Sequence, residues 1–468
     1  MKKTKQFNRY IPILLKEKLD KINYHRKDDL YVIIDLIHRK EIYYKSDYQN
    51  LYGYTEISQS QFKELIPSSN NLNNGIQFLV DNNLLLRNDY YVIGGKPKSY
   101  KIPREFLGKT VPVKITDKNI NKRIDVQIKK YRNLKVQSLE FAKTDYYKTF
   151  KIDIFGANKA ILDKAISEIK KLSDKYKAKL TESDIIDIIE CKKGHEMKRI
   201  KIVLPDKGKE LDNILHRYMI YSTRINAIND GFLFFKRNTT NGRLDTNLTS
   251  LPSFLRPYLI SSEKLMNIDI KNSQPYFLYT LIMNQPDINK EELANYSDLV
   301  INGTLYEFLV EEYKKKTGYM RTREQMKKML YKIFFSKVVS FPNQKQFFGG
   351  LFPTIMSYIN NTNAGKNNTL ALFLQSKESY TVLDVVMPLL EKMAIRPFTI
   401  HDSFVCKETE AIEIQEIFTK KLIELYGVAP SLHVNYLIPT EILEDDFITD
   451  WDDSFLKEIN EIDEDNIA

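Results

Sequence analysis

Two aspartates in this chain close short apolar runs of the kind that form strands. Asp269 lies in KLMNIDIKNSQPYFLYTLI, and Asp402 lies in RPFTIHDSFVC directly after His401. Acids at strand ends could hold a pair of divalent cations about 3.5–4 Å apart, the arrangement that in-line transfer of a nucleotidyl group needs. Magnesium takes carboxylate oxygens together with substrate phosphates and water, so two protein ligands suffice. Taken singly, an acid ending a strand is more often a turn former or a helix cap than a metal ligand.

Between them runs TREQMKKMLYKIFFSK, where Arg323, Lys327, Tyr331 and Phe335 recur every fourth residue. Each step of four residues drifts by about 40° on an α-helix, so the four share one broad face over about 18 Å. That face offers two cations for a triphosphate and two aromatics for a base and sugar. The same pattern also fits an amphipathic helix with basic flanks.

The elements that must position these groups are strands of an α+β domain and the helices between them. Together the motifs resemble those of the family A, DNA polymerase I-like, nucleic-acid polymerases. The helix is similar to the family's fingers motif RxxxKxxxFxxxYG, with Tyr331 at the Phe position and Phe335-Ser336 where Tyr-Gly is usual. DIKNSQP resembles the first palm motif and IHDSF the last. NGRLDTNLTSLPSFLRPYL resembles a GR…NLxxIPxxxR segment through Arg243, Asn247, Leu251, Pro252 and Arg256. LFLQSKESYTVLDVVMPLL resembles the helix that starts near a Gln, here Gln375. All five occur in family order between residues 242 and 406.

The resemblance implies roles residue by residue. Asp269 and Asp402 would bind two Mg2+ ions, with Mn2+ as an alternative. Lys327 and Arg323 would hold the incoming triphosphate, and Tyr331 and Phe335 would stack around the nascent pair. Arg243, Asn247, Arg256, Gln375 and His401 would touch primer or template. The partners implied are primer–template DNA and nucleoside triphosphates. Gln274 stands where the family's DNA polymerases carry a Glu that helps exclude a ribose 2′-hydroxyl, and Phe335 replaces a Tyr. Ser403 in HDSF also resembles the single-subunit phage RNA polymerases. Deoxynucleotides are the expected substrate, and an RNA polymerase or primase of the same fold, or a non-catalytic replication initiator, are the alternatives. No Asp-x-Glu occurs in the first 240 residues, so no proofreading exonuclease is expected.

The expected architecture is a right-hand core, with an antiparallel palm sheet and helical fingers and thumb, over residues 241–443. A helical connector or thumb over 116–240 precedes it, with ILDKAISEIKKL as its clearest amphipathic stretch. Residues 1–115 read as a winged-helix-like domain: a helix capped by Ser58, a second helix with Leu72, Ile76, Leu79 and Val80 at helical spacing, then two strand-like runs broken at Gly94-Gly95. Lys96, Lys98 and Lys101 on that hairpin could reach phosphates.

The net charge of +10 divides unevenly. From Glu444 onward eleven acids face one Lys, which leaves about +20 on residues 1–443, a field that suits nucleic acid. The acidic tail, 444–468, reads either as a solubilising end or as a partner-binding segment. The two cysteines, Cys191 and Cys406, are far apart in sequence, so neither a disulfide framework nor a zinc site is expected. His195, four residues after Cys191, reads as part of a surface turn. No apolar run is long enough to span a bilayer, and a cytoplasmic protein is expected; oligomeric state is left open.

Overall fold

The computed structural model of the protein describes residues 5–43, 54–92, 97–206, 208–365 and 368–439. Lys96, Gly94-Gly95 and the acidic tail lie outside these described residues. The chain forms two compact units, each mixing helices and antiparallel sheet.

The first unit runs to Asn133 and resumes over Lys151–Leu233. It opens with β1 (Asn8–Pro12), α1 (Ile13–Lys21) and α2 (Lys27–Tyr43). Next come β2 (Thr55–Glu56), α3 (Gln59–Lys63), α4 (Ser69–Asp81), β3 (Leu86–Asn88) and β4 (Ser99–Lys101). β2, β4 and β3 make a three-stranded antiparallel sheet in that order. Ser58 N–H donates to Gln61 Oε1 at 3.0 Å at the start of α3. Ser68 Oγ accepts from Asn71 N–H at 3.2 Å at the start of α4, satisfying donors that a helix start leaves open. Leu72, Ile76 and Leu79 are buried while Val80 is half-buried, so the helical spacing gives a one-sided apolar stripe.

β5 (Thr110–Lys114) pairs antiparallel with β1. α5 (Lys118–Arg132) follows, its start capped by Asp117. After α6 (Glu140–Thr149), which belongs to the second unit, the first unit continues with α7 (Ile154–Lys175), α8 (Glu182–Ile189), α9 (His195–Asp206) and α10 (Lys209–Asn229). One apolar core, from Phe7 to Met219, joins the helices α7–α10 to the elements of residues 5–132. The stretches read as a winged-helix-like domain and a connector therefore share one core. His195 is buried at the start of α9 and its Nδ1 lies 2.9 Å from the Lys192 carbonyl. Residues 192–194 form the exposed turn expected there, while the His195 ring that follows is buried and closes the turn onto the Lys192 carbonyl.

The second unit holds Leu134–Phe150 and, among the described residues, the chain from 234 to 439. β6 (Phe235–Arg237) and β7 (Leu244–Thr246) form a hairpin. Gly242 takes φ +71 in its turn, which lets the chain reverse beside the Ser379 side chain. β8 (Leu265–Ile270), α11 (Ser273–Ile282), α12 (Lys290–Ile301), α13 (Leu305–Thr317), α14 (Arg323–Phe335), α15 (Pro342–Leu351) and α16 (Pro353–Asn363) follow. α17 (Thr369–Ser379) passes through a π-helical stretch, Tyr380–Val386, into α18 (Met387–Lys392). β9 (Phe398–Ile400), β10 (Ser403–Lys407), α19 (Ala411–Tyr426) and β11 (Leu432–Tyr436) complete the unit.

β11, β8, β10 and β9 form a four-stranded sheet in that order, and all its pairings are antiparallel. α19 covers one face, with Phe404 and Phe418 fully buried edge to face at 5.0 Å between ring centroids. That aromatic contact fixes β10 against the helix. Among the described residues no helix is long and apolar enough to cross a membrane.

Candidate active site

The sheet brings the two sequence-predicted aspartates together. Ser403 at the start of β10 is the direct cross-strand partner of Asp269 on β8. Ile400 and Ser403 also pair, so His401-Asp402 is the two-residue turn of the β9–β10 hairpin. His401 takes φ +55 there, a left-handed value that such a turn demands and that histidine tolerates better than bulkier residues. Ser403 Oγ donates to the Ile400 carbonyl at 2.9 Å and locks the turn. The Asp402 carboxylate is thereby set beside that of Asp269, and both side chains remain half-buried.

Burial pushes the Asp269 carboxyl well up from the usual carboxylate range, and the neighbouring Asp402 charge adds to this. Lys327 opposes the shift, and Glu378 reinforces it. Asp402 is raised by burial too, against the pull of the Ser273 hydroxyl, Arg243 and Lys327. Two adjacent acids that resist ionising together form a site short of positive charge.

Lys327 comes from α14, whose start is capped by Thr322 Oγ1 accepting from Gln325 N–H at 3.2 Å. Tyr331 and Phe335 lie further along the same face, stacked at 5.4 Å. Tyr331 is buried and feels the charge of Asp402. Arg323, one turn before Lys327, is 50% exposed, pairs with Glu307 at 2.7 Å and lies over the Tyr306 ring. Three of the four face residues therefore gather toward the acids or the core beneath them, and Arg323 stands at the outer end.

One group that the sequence reading missed is Glu378 on α17. It is fully buried. Arg243 donates to it through Nε and Nη2, each at 2.9 Å, and Gln274 Nε2 donates at 2.6 Å. Burial pushes its carboxyl up to about 7, against Arg243 and with help from the charge of Asp402. One buried acid thus fixes two residues of the motif set. In the sequence it is one of the polar residues that close α17, three positions after Gln375, and nothing local sets it apart.

The remaining predicted contacts fall into two groups. His401 adjoins Asp402 in the turn, and Arg256 lies within reach of its ring: burial, followed by Arg243 and Arg256, drives the His401 imidazole well below its ordinary value. Arg256 Nε donates to the Leu251 carbonyl at 3.1 Å. By contrast, Gln375 is buried and takes an amide hydrogen bond from Asn241 at 2.9 Å. The Asn247 side-chain oxygen is buried and accepts from Phe234 N–H at 2.9 Å. Both are engaged inside the unit. Lys98, in the first unit, pairs with Asp89 at 2.6 Å.

Several buried polar atoms around the acids lack a protein partner: both amide atoms of Asn272, Gln274 Oε1 and His401 Nδ1. Buried groups left unsatisfied in this way mark a place where water, an ion or a substrate completes the bonding. Among the described residues no group of three or more His, Cys, Asp or Glu converges on one point. Asp269 and Asp402 are the residues here that could hold a cation, and two carboxylates fit magnesium sharing its shell with phosphate and water.

No family model and no curated protein matches the chain. Among solved structures, it is similar to the POL domain of Pol1 from M. smegmatis in complex with DNA primer-template and dNTP. The match has a TM-score of 0.44 at 12% identity and covers 68% of this chain and 73% of that one.

Proposed function

We propose that the second unit is the catalytic core of a template-directed nucleotidyltransferase of the family A type. In this reading it is a DNA-dependent DNA polymerase without proofreading, acting in replication of a phage, plasmid or mobile element. The observation that carries the proposal is the nearness of Asp269 on β8 to Asp402 in the adjoining β9–β10 turn, with the charge of Lys327 acting on both.

Each residue then has a chemical task. The primer 3′-hydroxyl gives up its proton to solvent and its oxygen bonds to the α-phosphorus of the incoming nucleotide, while the bond to the pyrophosphate oxygen breaks and pyrophosphate leaves. Asp269 and Asp402 would hold two magnesium ions, whose charge favours the attacking alkoxide and offsets the triphosphate. Lys327 meets the negative charge that grows on the leaving pyrophosphate. Tyr331 and Phe335 offer a stacked aromatic face for the new base pair. Arg243, held in a fixed plane by Glu378, and Arg256 present cations to the primer or template end.

A second reading, synthesis of RNA or of a primer, is favoured by Gln274. Its amide nitrogen is bound to Glu378, which leaves Oε1 as an unpartnered buried acceptor. That acceptor can take a bond from a hydroxyl, and the neutral amide adds no charge to a site already crowded with carboxylates.

Primer extension with magnesium, offering dNTPs and rNTPs separately, tests both readings. The first expects dNTP incorporation by the wild type and none by Asp402→Ala. Equal incorporation by the two proteins would refute the site. Preferential use of rNTPs would select the second reading.

A further inference from the structure

The first unit holds a second surface with recognisable chemistry. α3 and α4 are joined by Glu64–Ser68, and β2, β4 and β3 lie alongside as a sheet with the third strand in the middle. The buried stripe of α4 is Leu72, Gly75, Ile76 and Leu79. Its opposite face presents Asn70, Asn73, Asn74 and Gln77, all exposed. These fall at positions i, i+3, i+4 and i+7, which is one helical face.

That face contains amides and, until Asp81 at its end, no charge. Its side chains are partly oriented: Gln59 Nε2 donates to Asn73 Oδ1 at 3.4 Å, and Arg87 Nη1 on β3 donates to Gln77 Oε1 at 3.1 Å. An uncharged amide row is a poor apolar docking surface. It does match adenine, whose N6 and N7 offer one donor and one acceptor to an Asn or Gln side chain in the major groove. Guanine would call for Arg or Lys on the same face, and α4 carries neither. The surroundings are basic, since residues 54–132 hold 14 Lys or Arg against 7 Asp or Glu. Cations suited to flanking phosphates include Lys63 at the end of α3 and Lys98 on the hairpin.

We propose that α4 is the recognition helix of a winged-helix module and reads A·T-rich duplex DNA through Asn70, Asn73, Asn74 and Gln77. Lys63 at the end of α3 and Lys98 just before β4 contribute phosphate contacts and no base reading. The proposal stands independently of the catalytic reading of the second unit.

The test is fluorescence anisotropy of the full chain on end-closed dumbbell duplexes, which offer no primer terminus. Two duplexes of equal length are compared, one with A·T tracts and one G·C-rich, over a series of salt concentrations. A preference of tenfold or more for the A·T duplex is expected. Asn73→Ala/Asn74→Ala should reduce it to under about threefold with the salt slope unchanged, while Lys63→Ala/Lys98→Ala should weaken both duplexes alike and flatten the slope. Circular dichroism of each variant checks that α4 still folds. Equal affinity of the wild type for both duplexes overturns the proposal, as does a preference that survives the double amide substitution. Absence of duplex binding, with a linear primer–template still bound, assigns the face to a protein partner and overturns it as well.

Discussion

The Glu378 carboxylate receives the Arg243 guanidinium through two bonds of 2.9 Å, although the two residues are 135 positions apart. Bidentate pairing fixes the plane of the guanidinium as well as its position. The same carboxylate takes the Gln274 amide at 2.6 Å, so an acid from α17 organises groups from the β6–β7 hairpin and the start of α11.

This network makes Gln274→Glu informative. The substitution places a second carboxylate against Glu378 in a buried setting, where like charges repel strongly. The single variant should lose about 2–4 kcal/mol of stability, and Gln274→Glu/Glu378→Gln should recover at least half of that loss. Urea denaturation of the wild type, both singles and the double measures the coupling. A coupling below about 0.5 kcal/mol would remove Glu378 from the network.

Glu378 also sets a pH dependence. Its folded-state value of about 7 lies above the ordinary 4.5. A raised acid contributes stability below the unfolded value and loses it as pH rises through the folded one, so the wild type should weaken between about pH 4.5 and 7. Glu378→Gln lacks this titration. The stability of the wild type minus that of the variant should fall across that window, by up to about 3 kcal/mol. Denaturation curves at pH 4.5, 5.5 and 7 give the slope; a flat difference would contradict it.

Replacing one of the paired acids should separate activity from stability. Asp269→Asn removes a ligand of the proposed metal pair, and nucleotide incorporation should drop by about a thousandfold or more. It also relieves the repulsion that raises Asp269 beside Asp402, so without divalent ions the melting temperature should rise by a few degrees. Steady-state primer extension and calorimetry in chelator read the two effects. A melting temperature that falls would show the acids to be structural.

Along α14 the cations should differ. Lys327 acts on both acids, whereas Arg323 is 50% exposed and tied to Glu307. Lys327→Ala should lower kcat by about a hundredfold, and Arg323→Ala by less than about tenfold. Single-nucleotide incorporation over a range of nucleotide concentrations separates kcat from KM. Equal losses would mean that the helix face meets the triphosphate along its whole length.

Period, caps and apolar patterning are local properties, and local properties can be read from the chain alone. They placed α4, the Ser58 start of α3 and the one-sided face of α14, and they marked Asp269 and Asp402 as acids closing apolar strands. Long-range pairing is not written in any window of residues. The β8–β10 register brings the two acids side by side, and folding alone sets that register, through the His401-Asp402 turn and the Phe404–Phe418 contact. The same holds for Glu378, which looks like an ordinary polar residue of α17 until burial and Arg243 give it a role. Tertiary structure likewise drew Gln375 and Asn247 into internal hydrogen bonds and joined Leu134–Phe150 to the second unit. A side chain's chemistry is carried by its type, whereas its charge state and partners depend on which distant groups exclude water from it.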